Sequence, residues 1–133
     1  MSAADQRLLA SFEGGTLPPD AMTHAMHVHL AWLSLRERPL LTTLPRFSDA
    51  LRRFAAGLGA AEKYHETITW AFLLLIHERI ARAPEAAWDD FAAANPDLFA
   101  RGCLERYYRP ETLASPLARR VFLLPDRLDQ ALA

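Results

Sequence analysis

The segment THAMHVHLAW, residues 23–32, holds His24, His27 and His29 among methionines, a valine, a leucine and a tryptophan. Imidazoles ligate divalent metals, form single hydrogen bonds of either sense, and exchange protons near neutral pH. On an α-helix each residue is rotated by about 100° from the last. His24 and His27 therefore share a face with Asp20, and Ala31 and Ser34 extend the stripe. His29 points about 140° away from His24, so one ion cannot use all three. A second set occurs in EKYHETIT, where Glu62, His65, Glu66 and Thr69 fall at i, i+3, i+4 and i+7 on one polar strip. His77 lies about 18 Å further along the same axis, beside Glu78 and Arg79, and is expected at an exposed or rim position.

Three imidazoles and a carboxylate suit a divalent transition metal, whether zinc, iron, nickel or manganese. The expected ligands are His24, His27, His65 and Glu66, with Asp20, Glu62 and Thr69 as supporting partners that orient them. Neither an H-E-x-x-H pattern nor a second E-x-x-H is present, which argues against a zinc protease and a di-iron bundle. Helix N-termini carry partial positive charge and favour anions. The same residues therefore also suit a small anionic ligand, or a structural polar network with none. Tyr64, and Tyr108 with Arg109 in RYYRPE, are candidate residues for the rim of such a pocket.

Bringing the two strips together is the task of the fold. Strand signals are nearly absent and Ala, Leu, Arg and Glu dominate, so the reading is an all-α, single-domain bundle of five to six helices. Residues 1–15 read as a short helical or frayed lead-in ending at Gly14-Gly15. A first helix is expected from about Pro19 to Arg36 and a second from Pro45 to Leu58. The second carries Phe47, Leu51, Phe54, Ala55 and Leu58 as one apolar stripe. The central, most hydrophobic helix is expected over 61–82. Another follows over 84–94, with Trp88 and Phe91 buried. Asn95-Pro96 restarts a helix to about Tyr107, and Ser115-Pro116 a last one to about Leu124. Residues 126–133 form a tail. Short connections make the first three helices run up, down and up, so the N-terminal turns of the first and third share one end. That juxtaposition is what would assemble a site.

Other features exclude functions. The formal net charge is −1, which offers no footprint for nucleic acid or an anionic membrane. The cationic residues are fourteen arginines and a single lysine, Lys63. Cys103 stands alone, so there is no disulfide framework, and it reads as a small buried hydrophobe. The start MSAADQRLLASFEGG has no signal-peptide pattern, and the longest apolar run, Trp70 to Ile76, is too short to cross a bilayer. The expected location is the cytoplasm. The expected partners are a small molecule and, for a homodimer, a second copy of the chain.

The motifs THAMHVHLAW, KYHETIT, NPDLF and YYRPETLASPLARRVFLLPDR, in this order and spacing, resemble a family of small bacterial all-helical proteins with no assigned reaction. That family carries an H-x-x-H helix, a Y-H-E-T helix and a C-terminal Y-Y-x-P-E…L-P-D-R segment. The likeness spans Phe12 to Arg127. It implies importance for His24, His27, Tyr64, His65, Glu66 and Thr67, and leaves His29 and His77 outside the motifs. The leading expectation is a metal-binding protein, a small metalloenzyme or a sensor, in which an open coordination position activates water or oxygen. The competing expectation is a non-enzymatic module that binds a small anionic ligand or another protein.

Overall fold

A computed structural model describes residues 1–127. Every regular element in it is helical. Helix α1 (Ala3–Glu13) starts at Ser2, whose side chain accepts the Asp5 N–H at 3.0 Å. It is no frayed lead-in. Leu9 and Phe12 are buried, the Phe12 ring lies 5.2 Å from that of Phe47, and Glu13 takes a two-pronged bond from Arg38 at 2.6 and 2.9 Å.

Helix α2 (His24–Glu37) begins later than expected, because Thr23 and not Pro18 caps it. The threonine side chain accepts the Met26 N–H at 3.1 Å, and Pro19–Ala21 forms only a single 3-10 turn. Helix α3 (Leu40–Gly57) begins earlier than expected and runs through Pro45. Proline there removes one amide from the helical ladder. Pro45 and the nearby Leu41 are both exposed, so water can occupy the vacated position. Helix α4 (Glu66–Arg82) is the centre of the molecule, but its expected first turn is separate. Ala61–Lys63 is a 3-10 turn, Tyr64 is extended, and His65 caps the helix.

Helices α2, α3 and α4 pack mutually. The start of α2, the end of α3 and the start of α4 meet around one cavity, as the up-down-up expectation requires. The remaining chain wraps α4 in short pieces: α5 (Trp88–Ala94), 3-10 turns at Pro96–Phe99 and Cys103–Arg106, α6 (Pro110–Leu113) and α7 (Pro116–Arg120). The continuous helix expected over 96–107 is split at Gly102, whose φ of 80° is left-handed, a conformation that suits glycine. Helix α7 starts at Ser115 as expected, its side chain accepting the Ala118 N–H, but ends at Arg120. The segment after it is pinned by the buried Thr67, whose hydroxyl donates to the Val121 carbonyl at 2.8 Å and accepts the Leu123 N–H at 3.0 Å.

The core joins these layers. Leu30 and Leu33 of α2, Leu73 and Ile76 of α4, Phe91 and Leu98 are almost completely buried. Phe91 is buried as expected, whereas Trp88 remains half-buried, stacked on His29 at 4.3 Å. Cys103 is a buried free thiol, and burial pushes its pKa up. No helix among the described residues is long and apolar enough to cross a membrane. Of the expected tail, the positions beyond 127 lie outside the described residues.

Candidate functional site

The shared end of α2, α3 and α4 frames a half-open cavity of about 380 Å³. Its walls are apolar. The expected stripe of α3, Phe47, Leu51, Phe54, Ala55 and Leu58, forms one side. Val28 and Ala31 of α2 and Ile68, Phe72, Leu73 and Ile76 of α4 supply the rest. The polar lining consists of His24, His27, Lys63, Tyr64, His65 and Thr69. The topology thus gathers all three imidazoles of the expected site around one space.

Each imidazole has a different occupation. His65 is the N-cap of α4: its Nδ1 accepts the Ile68 N–H at 3.0 Å, so its Nε2 carries the hydrogen and donates to the Leu113 carbonyl at 2.7 Å. Both nitrogens are spent, one on starting α4 and one on tethering α6. His24 Nε2 lies 2.9 Å from the Leu98 carbonyl; a carbonyl only accepts, so this nitrogen also bears its hydrogen. The His24 ring meets Phe72 edge-on at 5.4 Å and works as a strut between α2 and the turn at Pro96–Phe99.

His27 has no such partner. Its Nε2 is buried and unpaired among the described residues. Burial, with the neighbouring His24 adding to it, lowers the His27 pKa to about 4, so the ring is neutral at pH 7. A buried polar atom left without a hydrogen bond costs about 1–3 kcal/mol. This unpaired nitrogen, on a residue that lines the cavity, is the anomaly of the site.

The other expected ligands point elsewhere. Glu66 takes a hydrogen bond from Tyr64 Oη at 2.5 Å and an ion pair from Arg52 at 3.0 Å. It is not part of the cavity wall. Because His65 is a cap and not a second-turn residue, the strip expected for Glu62, His65, Glu66 and Thr69 does not form. Glu62 and Asp20 are exposed and away from the cavity. Thr69 does line it, with its hydroxyl donated to the His65 carbonyl at 2.7 Å. Among the described residues no three His, Cys, Asp or Glu side chains group as one ion would require.

Of the expected rim residues, Tyr64 is at the cavity. Its ring lies under the Arg52 guanidinium at 4.6 Å, and burial with the Glu66 bond pushes its pKa up to about 12. Tyr108 and Arg109 are not there. Tyr108 is buried against the C-terminal segment, its hydroxyl donating to the Leu123 carbonyl at 2.7 Å, and the Arg109 amide bonds the Asp126 carboxylate at 2.8 Å. His77 is exposed and His29 faces away from the cavity, as the helical rotation requires. Residues that the spacing of histidines did not single out are Lys63 at the cavity edge and the pair Ile68 and Phe72. The apolar i, i+4 spacing of that pair was their only signal. Compared with family models, curated proteins and solved structures, the chain matches none.

Proposed function

We propose that the protein binds a small, largely apolar molecule in the cavity between α2, α3 and α4, with one neutral polar group of the ligand hydrogen-bonded to His27. The observation that carries this reading is the unpaired, buried Nε2 of His27, a residue of a largely apolar cavity lining. Ligand pockets combine such walls with a few placed polar groups. A neutral imidazole presents either an N–H or a lone pair, so a hydroxyl or a carbonyl on the ligand suits it equally.

Metal binding demands more rearrangement. His24 and His65 would have to surrender their carbonyl partners, α4 would lose its cap, and Glu66 would leave Arg52 and Tyr64. A small organic ligand requires none of these changes. The reading is a binding module and assigns no reaction.

The test compares 4-propylphenol with propylbenzene by nitrogen-edited NMR titration of the full chain. The expected result is saturable shifts at cavity residues, with the phenol favoured by about tenfold, the worth of one hydrogen bond near 1.4 kcal/mol. His27→Leu should abolish that preference while keeping propylbenzene binding. Absence of saturable binding by either compound overturns the reading. So does stoichiometric zinc binding that is lost in both His27→Ala and His65→Ala.

A further inference from the structure

Resting on the reading of the cavity as a ligand site, we infer that its ligand is an amphiphilic monoanion, with an acid group at Lys63 and an apolar body along α3. Lys63 is the only permanently charged side chain in the cavity lining, and the lining contains no carboxylate. It is also the single lysine of a chain with fourteen arginines. Among the described residues its ammonium takes part in no ion pair.

Two of the neighbouring charged side chains, Arg52 and Glu66, are already committed. The exposed Glu62 carboxylate is in no ion pair among the described residues and lies outside the cavity lining. Arg52 serves Asp49 and Glu66, Glu66 also holds Tyr64, and Arg119 donates to the Glu62 carbonyl at 3.2 Å. A cation at the edge of an apolar cavity, with its methylene stem along the wall, is the arrangement that receives an acid headgroup at the water boundary. Two helices, α2 and α4, begin at this end and one, α3, finishes there. The helix ends thus leave a net positive bias.

A lone ammonium is a compact point charge, and one such charge in the lining is matched by a singly charged acid group, of which a carboxylate is the simplest. At roughly 30 Å³ per small group, the cavity has room for on the order of a dozen heavy atoms. The class is therefore a medium-length or aryl-substituted monocarboxylic acid. A hydroxyl or carbonyl along its apolar body would reach His27. Charge recognition and hydrogen bonding are then divided between two residues: the exposed lysine meets the anion, and the buried imidazole, kept neutral by its surroundings, meets the neutral group.

Octanoate and 1-octanol, matched in chain length, test this by NMR titration of the full chain at pH 7. Octanoate should bind more tightly than octanol, and rising salt should weaken octanoate alone. Lys63→Met keeps the apolar stem and should cost octanoate about fivefold, the scale of a partly exposed ion pair, while leaving octanol unchanged. Lys63→Arg should restore most of the loss. Equal affinity for the two compounds, or no effect of Lys63→Met, overturns the assignment of the acid while leaving the cavity as a ligand site. Failure of both compounds to bind overturns the cavity reading and this inference together.

Discussion

A histidine at the start of a helix can give both ring nitrogens to the backbone, and His65 does so. The identity of this residue is explained by structure before any ligand is considered. An N-cap contributes about 1 kcal/mol, and a hydrogen bond to a carbonyl across the molecule a further amount near 1 kcal/mol. His65→Ala should therefore lower unfolding free energy by about 2 kcal/mol. Asparagine, which caps well, is too short to reach the Leu113 carbonyl, so His65→Asn should recover about half of the loss. Urea denaturation of the three proteins reads both numbers, and an alanine variant as stable as the parent would refute the cap and tether together. Part of this residue-scale picture was legible in the sequence. Helical rotation alone separates His24 and His27 from His29, and the structure keeps that division. What rotation cannot supply is occupation: the partners of His24 and His65 are carbonyls of Leu98 and Leu113, contacts between distant segments that no local spacing encodes. His27 differs from the other two only because no such carbonyl arrives.

Among the elements, the C-terminal segment after α7 is held by Thr67 at its start and by the Tyr107 carbonyl, which accepts the Asp126 and Arg127 amides, at its end. Thr67 is fully buried, and its hydroxyl both donates to Val121 and accepts from Leu123. Thr67→Val conserves shape and removes the hydroxyl, leaving a carbonyl and an amide of the segment unpaired. The expected cost is about 2 kcal/mol, with faster amide exchange centred on residues 121–123, because the Asp126 and Arg127 amides keep their bonds to the Tyr107 carbonyl. Uniformly faster exchange across α2 and α4 would show instead that Thr67 serves the whole core. The long elements were readable because their apolar stripes repeat over several turns, as in Phe47, Leu51 and Phe54 of α3. Their ends were not. Thr23 outcompetes Pro19 as the start of α2, Pro45 is tolerated on an exposed face, and Gly102 breaks what the Asn95-Pro96 signal suggested was one helix. Each of these outcomes depends on a single side chain or backbone angle, too little to register in a periodic pattern.

At the scale of the whole molecule, the neutral imidazole in the cavity couples fold stability to acid. The unfolded His27 titrates near 6.5, and the folded one at about 4. The native state therefore binds fewer protons between those values, and stability falls as pH drops through that interval. The difference amounts to about 3 kcal/mol, complete below the folded pKa. Burial is the main cause of the lowered value, and the neighbouring His24 on the same helix adds to it. His29, also lowered by burial but raised again by Asp5 and Asp89, contributes with the same sign and less. Asp97, held below the usual carboxylate range chiefly by its bond to Arg79, gives up its share only at lower pH, so the histidine stage comes first. His27→Gln, neutral at every pH, should remove that stage. Denaturant unfolding at pH 7 and pH 4.5 should show the parent losing roughly 2–3 kcal/mol more than the variant over this range. Parallel losses would mean that the imidazole is solvated and paired in the native protein, and the cavity would then lack the unsatisfied nitrogen from which its function is read. A cavity filled by a hydroxyl-bearing ligand steepens that dependence in the same direction. The bound hydroxyl satisfies neutral Nε2, and binding should then stabilise the parent most at pH 7 and progressively less as His27 protonates.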